Sequence, residues 1–225
     1  MTLQFVRRIQ DAEHIFTYYF EPERTLRYIA GQFLEFHIPH DNPDDRGEKR
    51  WFTVSSSPTE THLAITTKID PKKPSTFKHA LHNLNPGDTI EGSEAMGDFV
   101  LPKDESTKLI FIAGGIGVTP FRSMITWLAQ SNKSRDITLL YMTQDEKQVA
   151  FRHELDQIFV SLHIMSDGKR RTAQELADTI GSIENAHIYI SGPEPMAKAL
   201  ATDFRSMSAH AYQVVTDYFP GYESI

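Results

Sequence analysis

Three short segments of this chain hold side chains whose types and spacing bear on chemistry. The first is Ala113-Gly114-Gly115-Ile116-Gly117-Val118-Thr119-Pro120, an apolar run that breaks into glycines. Glycines let backbone N–H groups approach a phosphate closely, and a helix opening behind them favours the anion. Thr119 is suited to cap that helix and Pro120 to occupy its first position. The run is not the G-x-G-x-x-G fingerprint, because its third glycine is missing. A structural turn and a phosphate cradle both fit it. The second segment is Ser191-Gly192-Pro193-Glu194-Pro195-Met196, read as a loop between a strand and a helix. It is either a plain Gly-Pro turn or the second wall of a cleft shared with Gly114–Thr119, since ligands of such sheets bind at the carboxyl ends of strands. The third is Arg50-Trp51-Phe52-Thr53-Val54-Ser55-Ser56. Strand alternation places Arg50 and Phe52 on one face, where a guanidinium can grip a phosphate and a ring can stack on a heterocycle. A cation–π pair on an ordinary strand is the competing reading.

Other candidates carry less. Lys68, Lys72, Lys73 and Lys78 form a basic cluster, either a solvated loop or a patch for a phosphate or an acidic partner. His79 and His82, and His37 and His40, lack a carboxylate partner and an H-E-x-x-H arrangement, so no metal site is expected. No G-x-S-x-G elbow is present, which removes one route to serine hydrolysis.

These segments need elements to position them. Up to about Leu101 the chain reads as short β-branched and aromatic runs between turn residues: Leu3–Ile9, Ile15–Phe20, Phe33–Ile38, Trp51–Ser55, Leu63–Lys68 and Thr89–Gly92. That rhythm predicts an antiparallel barrel or sandwich. It is interrupted once, at Ser75–Asn83, where apolar spacing predicts a helix capped by Ser75. After Pro102 strands and helices alternate. Strands are predicted at Leu109–Ala113, Ile137–Met142, Leu162–Met165, Ala186–Ile190 and Ala211–Val215. Helices are predicted at Phe121–Gln130, Phe151–Phe159, Thr172–Ile180 and Pro195–Met207. This alternation implies crossover connections and a parallel sheet, with the boundary in Pro102–Ser106.

Composition bounds the function. The 225 residues include 30 acidic and 23 basic side chains, a formal charge of −7, with 40% hydrophobic and 24% charged residues. That is a globular mixture without the basic surplus of a nucleic-acid binder. Cysteine is absent, which excludes disulfides, thiolate zinc, a cysteine nucleophile and cysteine-held iron–sulfur clusters within these residues. No apolar run approaches the roughly 20 residues of a membrane span, and the N-terminus lacks a signal core. A cytoplasmic protein without membrane insertion is expected.

Taken in order, the three motifs resemble those of the ferredoxin–NADP reductase family of flavoenzymes, across nearly the whole chain. Arg50-Trp51-Phe52-Thr53 is similar to that family's Arg-x-Tyr-(Ser/Thr) flavin motif, with Phe52 in place of tyrosine. The resemblance implies that Arg50 holds the flavin phosphate, Phe52 stacks on the isoalloxazine and Thr53 hydrogen-bonds near N5. It brings Val54, Thr66, Lys68, Ser75 and Thr76 into the same site. Pro74-Ser75-Thr76-Phe77 stands where the family has a Gly-x-x-Ser pyrophosphate loop, with Lys72 in the glycine's place. Gly114–Pro120 is similar to the Gly-Gly-x-Gly-x-(Thr/Ser)-Pro nicotinamide-nucleotide loop, which implicates Gly114, Gly115, Gly117, Val118, Thr119 and Pro120. Ser191-Gly192-Pro193 resembles the family's Cys-Gly-Pro, with Ser191 for the cysteine beside nicotinamide C4, and Gly192, Pro193 and Met196 following it. Asp217-Tyr218-Phe219-Pro220-Gly221-Tyr222 resembles an acidic-x-Phe-x-Gly-Tyr ending, placing Asp217 and the Phe219 ring near the flavin. Gln144 stands where NADP-preferring members often carry arginine; Lys169-Arg170-Arg171 can compensate or be a solvated turn, leaving NADH and NADPH both open.

The implied architecture is β followed by α/β. A Greek-key antiparallel β-barrel binding FAD spans residues 1–102, and a five-stranded parallel sheet binding the nicotinamide nucleotide spans residues 103–225. The implied activity passes electrons from NAD(P)H through FAD to a separate acceptor of ferredoxin, flavodoxin or other carrier type, an acidic redox protein among them. Thr53, Ser191 and Asp217 would act at the reacting rings, in a monomer. The alternatives are a free-flavin reductase and an electron-transfer subunit that needs a partner for turnover.

Overall fold

The computed structural model describes residues 1–72, 75–157, 160–207 and 213–219, with Gln213 and Phe219 in backbone only. The first half is a six-stranded antiparallel sheet built from β1 (Thr2–Ala12), β2 (Ile15–Pro22), β3 (Phe33–His37), β4 (Lys49–Thr53), β5 (Leu63–Lys68) and β6 (Thr89–Gly92), in the order β4-β3-β6-β1-β2-β5. A bridge between Val54 and Ile65 joins the two ends of that order and closes the sheet into a barrel. Alternation fills it: Leu3 and Phe5, Leu34 and Phe36, and Tyr18 and Phe20 point into one core. Helix α1 (Thr76–His82) stops the barrel by inserting Phe77 and Leu81, four residues apart and both fully buried. Ser75 caps it as expected, accepting from the Lys78 N–H at 3.3 Å.

The second half is a five-stranded parallel sheet of order β11-β10-β7-β8-β9, made from β7 (Lys108–Gly114), β8 (Ile137–Met142), β9 (Ser161–Met165), β10 (Ala186–Pro193) and β11 (Gln213–Phe219). Interior strand β7 is apolar on both faces because both are covered. Leu109, Phe111 and Ala113 pack toward α2 (Thr119–Gln130), with α3 (Arg152–Leu155) on that side. Ile110 and Ile112 pack toward α4 (Ala173–Ile180) and α5 (Glu194–Met207). Thr172 and Glu175 form a reciprocal capping box at the start of α4.

Several elements differ from the sequence reading. The helix expected at Phe151–Phe159 is only Arg152–Leu155 where described, with Ile158 and Phe159 outside the described residues; Phe151 ahead of it takes a left-handed φ of 57°. A 3-10 turn at Gly115–Val118 precedes α2, so Thr119 is already helical and does not cap it. Its hydroxyl instead donates back to Ile116 O at 3.1 Å. The final strand is described from Gln213 and runs on through Asp217, with Ala211 and Tyr212 outside the described residues, and Ser191-Gly192-Pro193 belongs to β10 rather than to a loop. The halves are also less separate than a boundary at Pro102 implies. Phe99 packs edge-on against Tyr189 at 5.2 Å and near Phe121 at 5.8 Å, in the core of the second half.

Candidate functional site

Where the barrel meets the carboxyl edge of the parallel sheet lies a cleft of about 650 Å³. Arg50, Phe52 and Thr53 of β4, Thr66 of β5, and Ser75 and Lys78 of α1 line its barrel side. Ile116, Thr119, Asp217 and Tyr218 face them from the other half.

On the barrel side the expected alternation holds, with Arg50 and Phe52 sharing a face. The Arg50 guanidinium lies 5.3 Å over the Phe77 ring, whose centre is 5.8 Å from that of Phe52. Arg50 Nη2 donates to Asp44 Oδ1 at 2.6 Å and Nη1 donates to carbonyls of Arg46 and Gly47 at 2.8 Å, while buried Nε has no partner. Phe52 is 8% exposed and borders the cleft from within the barrel core. Thr66 is held by hydroxyl contacts to Thr17 at 2.7 Å and Ser55 at 2.9 Å. Three members of the expected set lie away from the cleft lining. Val54 is fully buried, Thr76 Oγ1 accepts from Asp44 N at 3.0 Å, and Lys68 Nζ donates to Gln148 at 2.9 Å. The lysine cluster is therefore split: Lys78 lines the cleft, Lys72 is exposed, and Lys73 lies outside the described residues with Pro74.

Residues that the sequence reading missed widen the mouth. Trp51, 57% exposed, pairs with Phe33 at 6.2 Å and donates through Nε1 to Glu35 at 3.2 Å, which also holds Lys49 at 2.9 Å. These neighbours come from the β3–β4 register, Glu35 opposite Trp51 and Phe33 opposite Thr53, which spacing along the chain does not reveal.

On the other side Ile116, Thr119, Asp217 and Tyr218 line the cleft, framed from behind largely by backbone. A Cβ on Gly117 would sit 2.2 Å from Ser191 O and 2.6 Å from Gly192 N, so only glycine lets the turn nest against β10. Gly114 packs on Met196 and Pro193, with Val118 and Pro120 buried behind it. Gly115 is different: it has a φ of +53°, yet a Cβ there would meet no protein atom within 4 Å. Its missing side chain leaves open space in front of the turn. Beyond β8, Gly168 packs against the Gln144 backbone, bringing Lys169-Arg170-Arg171 beside Gln144; Arg171 bonds Asp167 at 2.6 Å.

Where the halves meet, polar atoms lack partners. Parallel pairing puts Ser191 of β10 directly beside Asp217 of β11. Thr53 Oγ1, Ser191 Oγ and Asp217 Oδ2 are all buried and unpartnered. Burial pushes the Asp217 carboxyl up to about 6, against a smaller opposing pull from the nearby Thr53 hydroxyl. Buried polar groups are rarely left unsatisfied without a functional reason. The side chain of Phe219 and all of Pro220-Gly221-Tyr222 lie outside the described residues.

Comparison with known proteins bears on this arrangement. Residues 111–202 match the oxidoreductase NAD-binding domain family. A glycine betaine monooxygenase reductase subunit of Chromohalobacter salexigens is 26% identical over 222 residues, covering 89% of this chain and 59% of that protein. The chain spans little more than half the length of the curated relatives it matches, 55% and 57% among others. The flavohem-like FAD/NAD-binding domain of nitric oxide dioxygenase from Vibrio cholerae superposes with a TM-score of 0.85 at 21% identity, covering 97% of this chain and 98% of that one. Ferredoxin–NADP+ reductase from Plasmodium falciparum superposes with a TM-score of 0.81 at 18% identity, covering 97% and 95%. The barrel followed by the parallel sheet is thus the fold of the flavohem-like FAD/NAD-binding domain and of ferredoxin–NADP+ reductase, and its second half matches the oxidoreductase NAD-binding domain.

Proposed function

We propose that the chain accepts electrons from NADH or NADPH through FAD held in the cleft and passes them to a separate acceptor. The observation that carries this reading is the trio of unpartnered buried atoms, Thr53 Oγ1, Ser191 Oγ and Asp217 Oδ2, at the meeting of the two halves. Such atoms await a ligand with hydrogen-bonding edges.

The residues fit the two groups. Arg50, Ser75 and Lys78 offer donors for a pyrophosphate, and Phe52 and Thr66 border the place of the ring system. The open space at Gly115, with N–H groups of the 3-10 turn around it, fits the nucleotide phosphates. Gln144 and Arg170 are proposed to meet the nucleotide's ribose end. When bound, FAD supplies the chemistry of taking a hydride as an electron pair and releasing electrons singly. The chain's own task is orientation. Thr53 and Ser191 fix ring edges from opposite halves, and Asp217, whose carboxyl titrates near 6, can hold or release a proton beside them.

These 225 residues contain no cysteine, so an iron–sulfur acceptor would be held outside them. Among the described residues no helix is long and apolar enough to cross a membrane. The cytoplasm, where reduced nicotinamide nucleotides circulate, is the proposed compartment.

The test is an absorption spectrum of purified chain mixed with FAD and passed through gel filtration, followed by anaerobic addition of NADH and NADPH in turn. Flavin that comigrates and bleaches supports the reading. Colourless protein overturns it, and flavin that elutes apart yet is still reduced makes this a free-flavin reductase.

A further inference from the structure

An ion cluster centred on a buried arginine joins the two halves outside the cleft lining. Arg122, on the first turns of α2, is 7% exposed. Its Nη2 donates to Glu60 Oε1 at 2.9 Å, and its Nη1 reaches the other Glu60 oxygen and donates to Ser55 O at 3.0 Å. On the opposite edge Nε donates to Glu154 Oε2 of α3 at 2.9 Å, and the guanidinium lies 5.6 Å over the ring of Phe151, the residue with left-handed backbone. Next to it, Ser123 Oγ donates to Ser56 O at 2.5 Å.

Place in the chain gives this cluster its meaning. Ser55 lies two residues beyond Thr53 and is held a second time through its hydroxyl, which accepts from Thr66 of the cleft wall. Arg122 lies one helical turn beyond Thr119, where the glycine turn ends. The same fork therefore grips the backbone running out of the flavin strand and the helix that carries the nucleotide turn. A bidentate guanidinium–carboxylate pair fixes angle as well as distance. Ion clusters around a buried charge add little net stability over apolar packing, so this one is better explained by the geometry it imposes than by stability.

We propose that Arg122, with Glu60, is a positioning residue: it sets the nicotinamide-binding half against the flavin-binding half at the spacing that hydride transfer requires. This rests on the FAD and nicotinamide reading of the cleft. Neither side chain lines the cleft, so the effect passes through Ser55 and α2.

The test compares FAD-loaded wild type with Arg122→Lys, Glu60→Gln and Ser123→Ala by anaerobic stopped-flow with NADH or NADPH. Nucleotide concentration is varied to separate the limiting rate of flavin reduction from nucleotide affinity. Arg122→Lys keeps the charge and loses the fork; Glu60→Gln keeps the shape. The same samples are reduced with dithionite and reoxidised by ferricyanide, which bypasses the nucleotide. The expected result is a limiting reduction rate lower by about tenfold or more in Arg122→Lys and Glu60→Gln, as misplacement by a fraction of an ångström implies. Their nucleotide affinity and reoxidation rate should stay within about twofold of wild type, with a weaker long-wavelength absorbance from ring-on-ring contact. Ser123→Ala is expected to move in the same direction by less. Unchanged limiting rates in flavin-replete variants overturn the proposal, as do reduction and reoxidation falling together in proportion to lost flavin. Wild type that neither nucleotide reduces overturns instead the reading of the cleft itself.

Discussion

The two walls of the cleft are built on different material. The wall from the parallel sheet is Ile116, Thr119, Asp217 and Tyr218 set on a frame of close-packed backbone: a glycine turn, the strand it nests against, and a helix start. The barrel wall is mostly side chains, from Arg50, Phe52, Thr53, Thr66, Ser75 and Lys78 on three elements. A backbone frame tolerates almost no addition, because every added atom displaces ligand or chain. A side-chain wall degrades by degrees, since each group shares its task with neighbours.

Substitution can break or sharpen that contrast. Gly115→Asp should have the largest effect. It puts a carboxylate into the open space at a φ of +53°, and flavin reduction by the nucleotide should fall by about 100-fold or more while FAD stays bound. Unchanged stopped-flow bleaching would take the turn out of the site. Loss of FAD as well would show that the walls are not separable. Replacing Arg122 by Leu leaves the partly exposed Glu60 and Glu154 without their shared cation and Ser55 O without its donor, so stability should drop by about 1–3 kcal/mol in chemical denaturation. Arg50→Ala should weaken FAD by roughly 2 kcal/mol, the worth of one charged hydrogen bond, measured by fluorescence quenching titration. A loss equal to that of Gly115→Asp would deny the graded character of the barrel wall.

Asp217 stands on the parallel-sheet wall near Thr53 of the barrel wall, and its prediction is one of pH. Its carboxyl sits near 6 when folded and near 3.8 when unfolded, so the native state binds the proton more tightly. The stability it contributes is fully present below about pH 4 and is lost as pH rises toward 6. Asp217→Asn in the flavin-free chain should thus gain on wild type across that window, reaching about 1–3 kcal/mol by pH 7.5. Parallel melting curves for the two proteins would place the carboxylate in water. Ser75→Ala is expected to do least, costing about 1 kcal/mol by loss of the α1 cap.

The same contrast explains what was legible in the sequence. Gly114, Gly115 and Gly117 announce themselves because no other residue serves there, and the alternating strands and helices around them follow from periodicity. Arg50 and Phe52 could be placed on one face by counting in twos. Trp51 and Phe33 could not, because they meet only through strand register. Arg122 and Glu60 stand 62 positions apart, and nothing local marks either as half of a pair. Periodicity also overran at Phe151–Phe159, where the left-handed Phe151 starts a much shorter helix. It stopped short at the last strand, because polar Thr216 and Asp217 look like tail until β10 is beside them.

That last strand sets an order of events during synthesis. β11 follows every other described element in the chain and lies at the edge of its sheet, paired only with β10. Asp217 therefore reaches Ser191 only once the strand lies in parallel register beside β10. A nascent chain stalled before that point has a finished barrel and a finished glycine turn, but a cleft still missing one carboxylate. On the proposed reading, the flavin site gains its last polar group only when β11 pairs with β10.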